Sequence, residues 1–201
     1  MSIGPYWVGD SPATPITIDL FSAEDITAYT AAVADLYAPD GSLVYTFPAQ
    51  PLAADEVTLT LPADPFETAG IYTLTVRLLG PNGVGVTLPD VSVVAQARTG
   101  WHTLDSARAD WESAPAEDVT LYNLLETARI ECEAYGPALG GSRVPANYRA
   151  AQLLQTRNSL NVGQVAPSGD FGDGSFTMTP FPLDWKVKQL LRPQTGRPRV
   201  G

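Results

Sequence analysis

Glu67-Thr68-Ala69-Gly70-Ile71-Tyr72-Thr73-Leu74 runs directly into Thr75-Val76-Arg77-Leu78-Leu79, and this stretch decides the fold of the first half of the chain. Tyr72, Leu74, Val76 and Leu78 fall on one side of an extended backbone, and Thr73, Thr75 and Arg77 on the other. That is the period of a strand with one face in a core. Upstream, Val57-Thr58-Leu59-Thr60-Leu61 alternates in the same way and stops at Pro62. Leu43-Val44-Tyr45-Thr46-Phe47 follows a turn at Ala38-Pro39-Asp40-Gly41, and Ala31 to Tyr37 and Ile16 to Phe21 complete the series. Downstream, Gly80-Pro81-Asn82-Gly83 turns the chain into a last strand across Val84 to Val94. Short strands at this spacing, separated by turn residues, predict a β-sandwich over residues 1–98, with Tyr72, Leu74 and Val76 in its core.

The segment 67–74 resembles the corner leading into strand F of immunoglobulin-like domains. In that family a tyrosine ring packs in the core while its hydroxyl caps backbone upstream, which is the role the resemblance implies for Tyr72. Leu74 stands where a disulfide-bonded domain of this kind carries cysteine, a replacement that a reducing compartment favours.

After Thr99 the period changes from that of a strand to that of a helix. Thr103 or Asp105 can cap a short helix carrying Leu104, Ala107, Arg108 and Trp111, which ends before Ala114-Pro115. Asp118 opens a longer one, with Leu121, Leu124, Leu125, Ala128, Cys132 and Tyr135 along one apolar face and Gly136-Pro137 at its end. Pro145 suits the first position of a third helix through Tyr148, Ala151, Leu153 and Leu154 to about Leu160. Residues 161–182 are rich in Gly, Pro, Ser and Asp and predict a long loop or irregular hairpin. Leu183 to Leu191 reads as a short amphipathic final helix, broken at Arg192-Pro193. The fold class expected is therefore α+β in two domains: a sandwich over 1–98, a small helical bundle with a long loop over 99–191, and an extended basic tail over 192–201.

At 201 residues, with 44% hydrophobic and 17% charged residues, the chain has the composition of a globular protein. No stretch approaches the roughly 20 apolar residues of a membrane span, and Met1-Ser2-Ile3-Gly4-Pro5 lacks the pattern of a secretory signal. The expectation is a protein made in the cytoplasm, with no membrane partner. Residues 1–98 hold eleven acids against Arg77 and Arg98, whereas residues 99–201 hold eleven acids and ten bases. Lys186, Lys188, Arg192, Arg197 and Arg199 lie in the last sixteen residues with no acid among them. An acidic front half repels nucleic acid, and a basic end suits an acidic protein groove or a phosphate backbone.

The chemistry of catalysis is sparse. One cysteine (Cys132) and one histidine (His102) supply neither a disulfide nor a zinc cluster. Phosphate-binding glycine loops and the Gly-x-Ser-x-Gly elbow are absent. Asp170-Phe171-Gly172, and Asp170, Asp173 and Gly174 as fragments of a calcium loop, lack their accompanying motifs. The acidic pairs Asp55-Glu56 and Glu117-Asp118 stand where elements begin, as turn residues or helix N-terminal charges. The expectation is a protein that is no enzyme and has no catalytic residue, cofactor or metal.

Three pieces of the second half stand in a characteristic order. The first is Trp101-x-x-Leu104-x-x-x-Arg108-x-x-Trp111-x-x-Ala114-Pro115, leading into Asp118-x-x-Leu121-x-x-Leu124-Leu125-x-x-Ala128. The second is Val144-Pro145-x-x-Tyr148-x-x-Ala151-Gln152-Leu153, and the third is Leu190-Leu191-Arg192-Pro193 with a Gly/Arg/Pro tail. Together they resemble the head–tail adaptor (connector) proteins of long-tailed bacteriophages. The front half resembles immunoglobulin-like domains appended to virion proteins, including the N-terminal domain of baseplate upper proteins, which minimal adaptors lack.

The resemblance implies a structural virion protein of the neck, between capsid and tail. It would form a dodecameric ring with copies of itself, docked beneath the portal protein and joined to the next neck, stopper or tail protein. DNA would pass through its channel without sequence-specific binding. It assigns Arg192, Pro193, Arg197, Pro198 and Arg199 to a portal-docking tail. Trp101, Trp111, Leu121, Leu124, Leu125, Tyr148 and Leu153 become helical core and ring packing. The loop around 163–180 becomes a contact with the next ring or a channel lining. The other reading is a virion accessory or baseplate binding module whose β-domain contacts carbohydrate or another structural protein, with Tyr6 and Trp7 as its candidate aromatics.

Overall fold

The computed structural model of the chain describes residues 2–20, 26–52, 56–81, 85–141, 143–164 and 183–192. It is a mixed α+β architecture that divides into two compact units, Met1–Arg98 and Thr99–Gly201.

The first unit is built from strands β1 (Ser2–Trp7), β2 (Ile16–Asp19), β3 (Ala31–Tyr37), β4 (Leu43–Pro51), β5 (Glu56–Leu59), β6 (Gly70–Leu79), β7 (Gly85–Thr87) and β8 (Val91–Gln96). The larger sheet runs β1-β8-β6-β3-β4, with β7 also on β6; β2 and β5 form a separate antiparallel pair. Strand β6 is central because its alternation is the cleanest: every second residue from Gly70 to Leu78 is buried. Ile16 opposite Leu59 and Ile18 opposite Val57 give the small sheet its inner face. These four share one core with Leu36, Phe47, Tyr72, Leu74, Val76 and Leu78 of the large sheet. Each large apolar side chain so buried contributes about 1.5–3 kcal/mol relative to exposure. Phe66 fills the centre, stacked on Tyr6 at 4.8 Å and edge-on to Tyr72 at 5.2 Å.

Strands β1, β4, β7 and β8 differ from the sequence reading. The single strand expected across Val84–Val94 is two, β7 and β8, because Pro89 has no N–H to continue the ladder. Both lie on the same side of β6, β7 opposite Arg77–Leu79 and β8 opposite Gly70–Leu74. Strand β4 continues past Phe47 to Pro51; it is an edge strand, where a proline need not donate to a neighbour. The N-terminal segment, not read as a strand, pairs parallel to β8 with an irregular register between Ile3 and Tyr6.

The second unit contains α1 (Leu104–Asp110), α2 (Asp118–Tyr135), α3 (Ala146–Gln164) and α4 (Trp185–Leu191). Thr103 caps α1 in a reciprocal box with Ser106. The Glu117 carboxylate accepts from the Val119 and Thr120 amides at the start of α2, and Asp184 accepts from Lys186 at the start of α4. That cap starts α4 two residues later than Leu183. Pro145 precedes α3 rather than opening it: its carbonyl accepts from Tyr148 and Arg149. Helix α3 runs on to Gln164 instead of stopping at about Leu160. The rest of the expected 161–182 loop, residues 165–182, and the tail 193–201 lie outside the described residues.

Candidate assembly surface

The Tyr72 hydroxyl donates to the Thr68 carbonyl at 3.0 Å and accepts from the Thr68 amide at 3.2 Å. One phenol thereby closes the corner ahead of β6 from inside the core. Gly70 makes this corner possible, since a Cβ there would lie 2.3 Å from Cγ of Pro39. Tyr72, Leu74 and Val76 are each no more than 1% exposed. Tyr6 is stacked on Phe66, and Trp7 lies beneath the Arg98 guanidinium at 4.9 Å. Leu43 and Val44 are the exposed large apolar residues described in this unit, and neither is aromatic.

In the second unit, Leu121, Leu125, Ala128 and Cys132 give α2 a buried stripe. Trp101, Cys132, Val144, Tyr148, Ala151, Leu183, Val187 and Leu191 form one apolar cluster. Trp101 meets Tyr148 edge-on at 6.1 Å. The Tyr148 hydroxyl donates to Pro137 O at 2.6 Å, and Gly136 leaves room for that ring, because a Cβ would come within 2.4 Å of its oxygen. Trp111 donates its indole N–H to Ser113 at 2.9 Å and lies 5.5 Å beneath the Arg157 guanidinium. Leu153 is buried too. Trp101, Trp111, Leu121, Leu125, Tyr148 and Leu153 are thus enclosed within the unit itself. Leu124, which the sequence puts on the same face, is only half-buried.

Polar groups also lie inside this unit. Gln152 accepts from the His102 amide at 2.9 Å and donates to Leu125 O at 3.0 Å, joining the segment before α1 to α2 through α3. Gln155 donates to Glu131 at 2.7 Å, and Thr156 to Gln152 O at 2.8 Å. The Cys132 thiol is fully buried. Desolvation first, then Glu131 and Glu133, push its pKa up to about 12, so it is a packed side chain rather than a nucleophile. Glu117 of the acidic pair 117–118 is occupied as a cap, which lowers its pKa chiefly through the Thr120 bond. Among the described residues no group of His, Cys, Asp and Glu is arranged to hold a metal ion. Asp55, Asp170 and Asp173 lie outside them.

The outer surface of the unit differs in character. Trp185 is 60% exposed and Ile130 54%. Leu183, Val187 and Leu191 turn inward, which puts Trp185 on the solvent side of α4 with Lys186 and Gln189. The sequence signal was available: a tryptophan out of phase with the i, i+4, i+8 apolar row. Arg192 closes α4, its amide donating to Lys188 O at 2.9 Å and its guanidinium lying 4.7 Å over Tyr135. Lys188 lies 5.9 Å over the same ring. Of the five residues assigned to the tail, Arg192 is described; Pro193, Arg197, Pro198 and Arg199 are not.

No family model matches the chain, and no curated protein does. Among solved structures it is similar to CopC from Methylosinus trichosporium OB3b, at 18% identity and a TM-score of 0.32, over 49% of this chain and 89% of that one. A likeness of that size carries no argument about this chain.

Proposed function

We propose that the chain is a structural protein of a phage virion neck. In this reading it forms a ring with copies of itself beneath the portal and extends the DNA channel towards the tail. Residues 1–98 form an immunoglobulin-like sandwich added to a helical adaptor domain. The corner closed by Tyr72, and the core shared by two sheets, support the sandwich assignment.

The observation that carries the adaptor reading is the end of the helical unit. There α4 keeps its apolar row inside, leaves Trp185 exposed, and delivers the basic C-terminal segment at Arg192. An aromatic beside cations suits a cleft lined with carboxylates and carbonyls, because a guanidinium binds both and a tryptophan anchors the contact. The buried tryptophans of the first sequence piece support the same reading as internal anchors that hold α1 on the unit.

The test is electron microscopy and mass photometry of the purified chain mixed with the matching portal. Ring-shaped particles bound to the portal are expected. A chain that stays monomeric and ignores the portal overturns the reading. Truncation after Leu191 should leave a folded chain that no longer docks, whereas unchanged docking removes the tail's role.

A further inference from the structure

We propose that His102 is a pH-sensitive latch: neutral, it holds the start of α1 against α3, and protonated, it lets α1 go. The imidazole is the chain's single histidine side chain, and it is 4% exposed. Its Nδ1 lies 3.1 Å from Ser106 Oγ and 3.5 Å from an Arg149 Nη. A guanidinium can only donate, so Nδ1 is the acceptor and the ring proton resides on Nε2.

The arrangement is reciprocal. Among the described residues, His102 Nδ1 is the acceptor that serves the Arg149 guanidinium, whose Nε is buried without a partner. Protonating Nδ1 aims an N–H at a cation and removes that acceptor in the same step. A half-buried guanidinium is then left facing a second positive charge.

The surrounding charges divide as follows. From α3, Arg149 and Arg157 oppose protonation; from α1, Asp110 favours it. The Asp110 carboxylate is 3.9 Å from Nδ1 but 60% exposed, so water screens it. Ser106 of α1 and Gln152 of α3 are neutral neighbours. Burial first, then Arg149, lowers the imidazole below its ordinary value of 6.5, with Asp110 and the Arg149 backbone pulling the other way. The unfolded chain therefore binds the proton more readily than the folded one. The stability that neutral His102 supports is complete above pH 6.5 and declines as pH falls below it towards the folded-state value. Protonation leaves in place the Arg149 backbone contact to the ring, the Gln152 bond to the His102 amide and the Arg157 bond to Asp110 O at 2.7 Å. The expected response is a local loosening of α1 rather than loss of the unit.

A single histidine makes the test direct. NMR titration of the whole chain should give one imidazole midpoint below 6.5, with nitrogen shifts of the Nε2–H form above it. The amides of 103–111 and the Trp111 indole should move with the same midpoint. Arg149→Gln should raise that midpoint, and His102→Gln should abolish the pH response of α1. A midpoint at or above the ordinary value, or an imidazole that titrates while α1 stays still, overturns the proposal. Should His102→Gln fail to fold, the direction of the shift in Arg149→Gln decides the matter alone.

Discussion

Tyr72 satisfies both backbone polar groups of Thr68 with one hydroxyl, and Tyr72 itself is 1% exposed. Removing that oxygen takes away the partner that the Thr68 amide and carbonyl share at the corner, where Thr68 itself is exposed. Tyr72→Phe should therefore cost about 0.5–1.5 kcal/mol, read as a lower urea midpoint for the Met1–Arg98 unit with an unchanged slope. The role was readable through the resemblance of residues 67–74 to the strand-F corner of immunoglobulin-like domains, together with an inward row that begins at Tyr72. The Pro39 side chain that makes Gly70 obligatory was not readable. It arrives from another turn, and nothing local in residues 67–74 announces it.

At the scale of elements, alternation and caps carried most of the information. Strands β3 and β6 have the bounds their patterns imply, because each presents one wholly buried face and so fixes its own register. Helix α2 begins and ends at residues whose capping chemistry is visible in the chain, Glu117 and Gly136. Strand β1 escaped because Gly4-Pro5 interrupts any alternation and its partner, β8, is reached only through parallel long-range pairing. Helix α4 is short, so its persistence depends on what it buries more than on propensity. Leu191→Ala should cost about 2–5 kcal/mol by opening a cavity beneath it. Denaturation should show that loss, accompanied by release of Lys188 and Arg192 from Tyr135.

Taken whole, the molecule keeps its acidic residues in excess in one unit and its basic end in the other. The sequence identified the basic end and offered seven side chains of the helical unit as core or ring packing; all but Leu124 are enclosed in that unit. Trp185 was missed because a seven-residue helix offers barely two turns of periodicity to read. Exposed as it is, Trp185→Ala should change stability by less than about 0.5 kcal/mol. If the neck reading holds, it should still lower the fraction of chain bound to portal in mass photometry. A loss of stability with unchanged binding would instead make Trp185 part of the fold.

Cys132 has a consequence of a practical kind. Its sulfur is enclosed, and its ionised form is suppressed at any ordinary pH. The folded chain should therefore label with maleimide reagents only slowly. A cysteine introduced at Gln189 or another exposed position would be the one reactive handle in the protein. Fluorophores or cross-linkers could then be attached at a chosen point without first removing the natural thiol, and slow labelling of Cys132 would report separately on opening of the helical core.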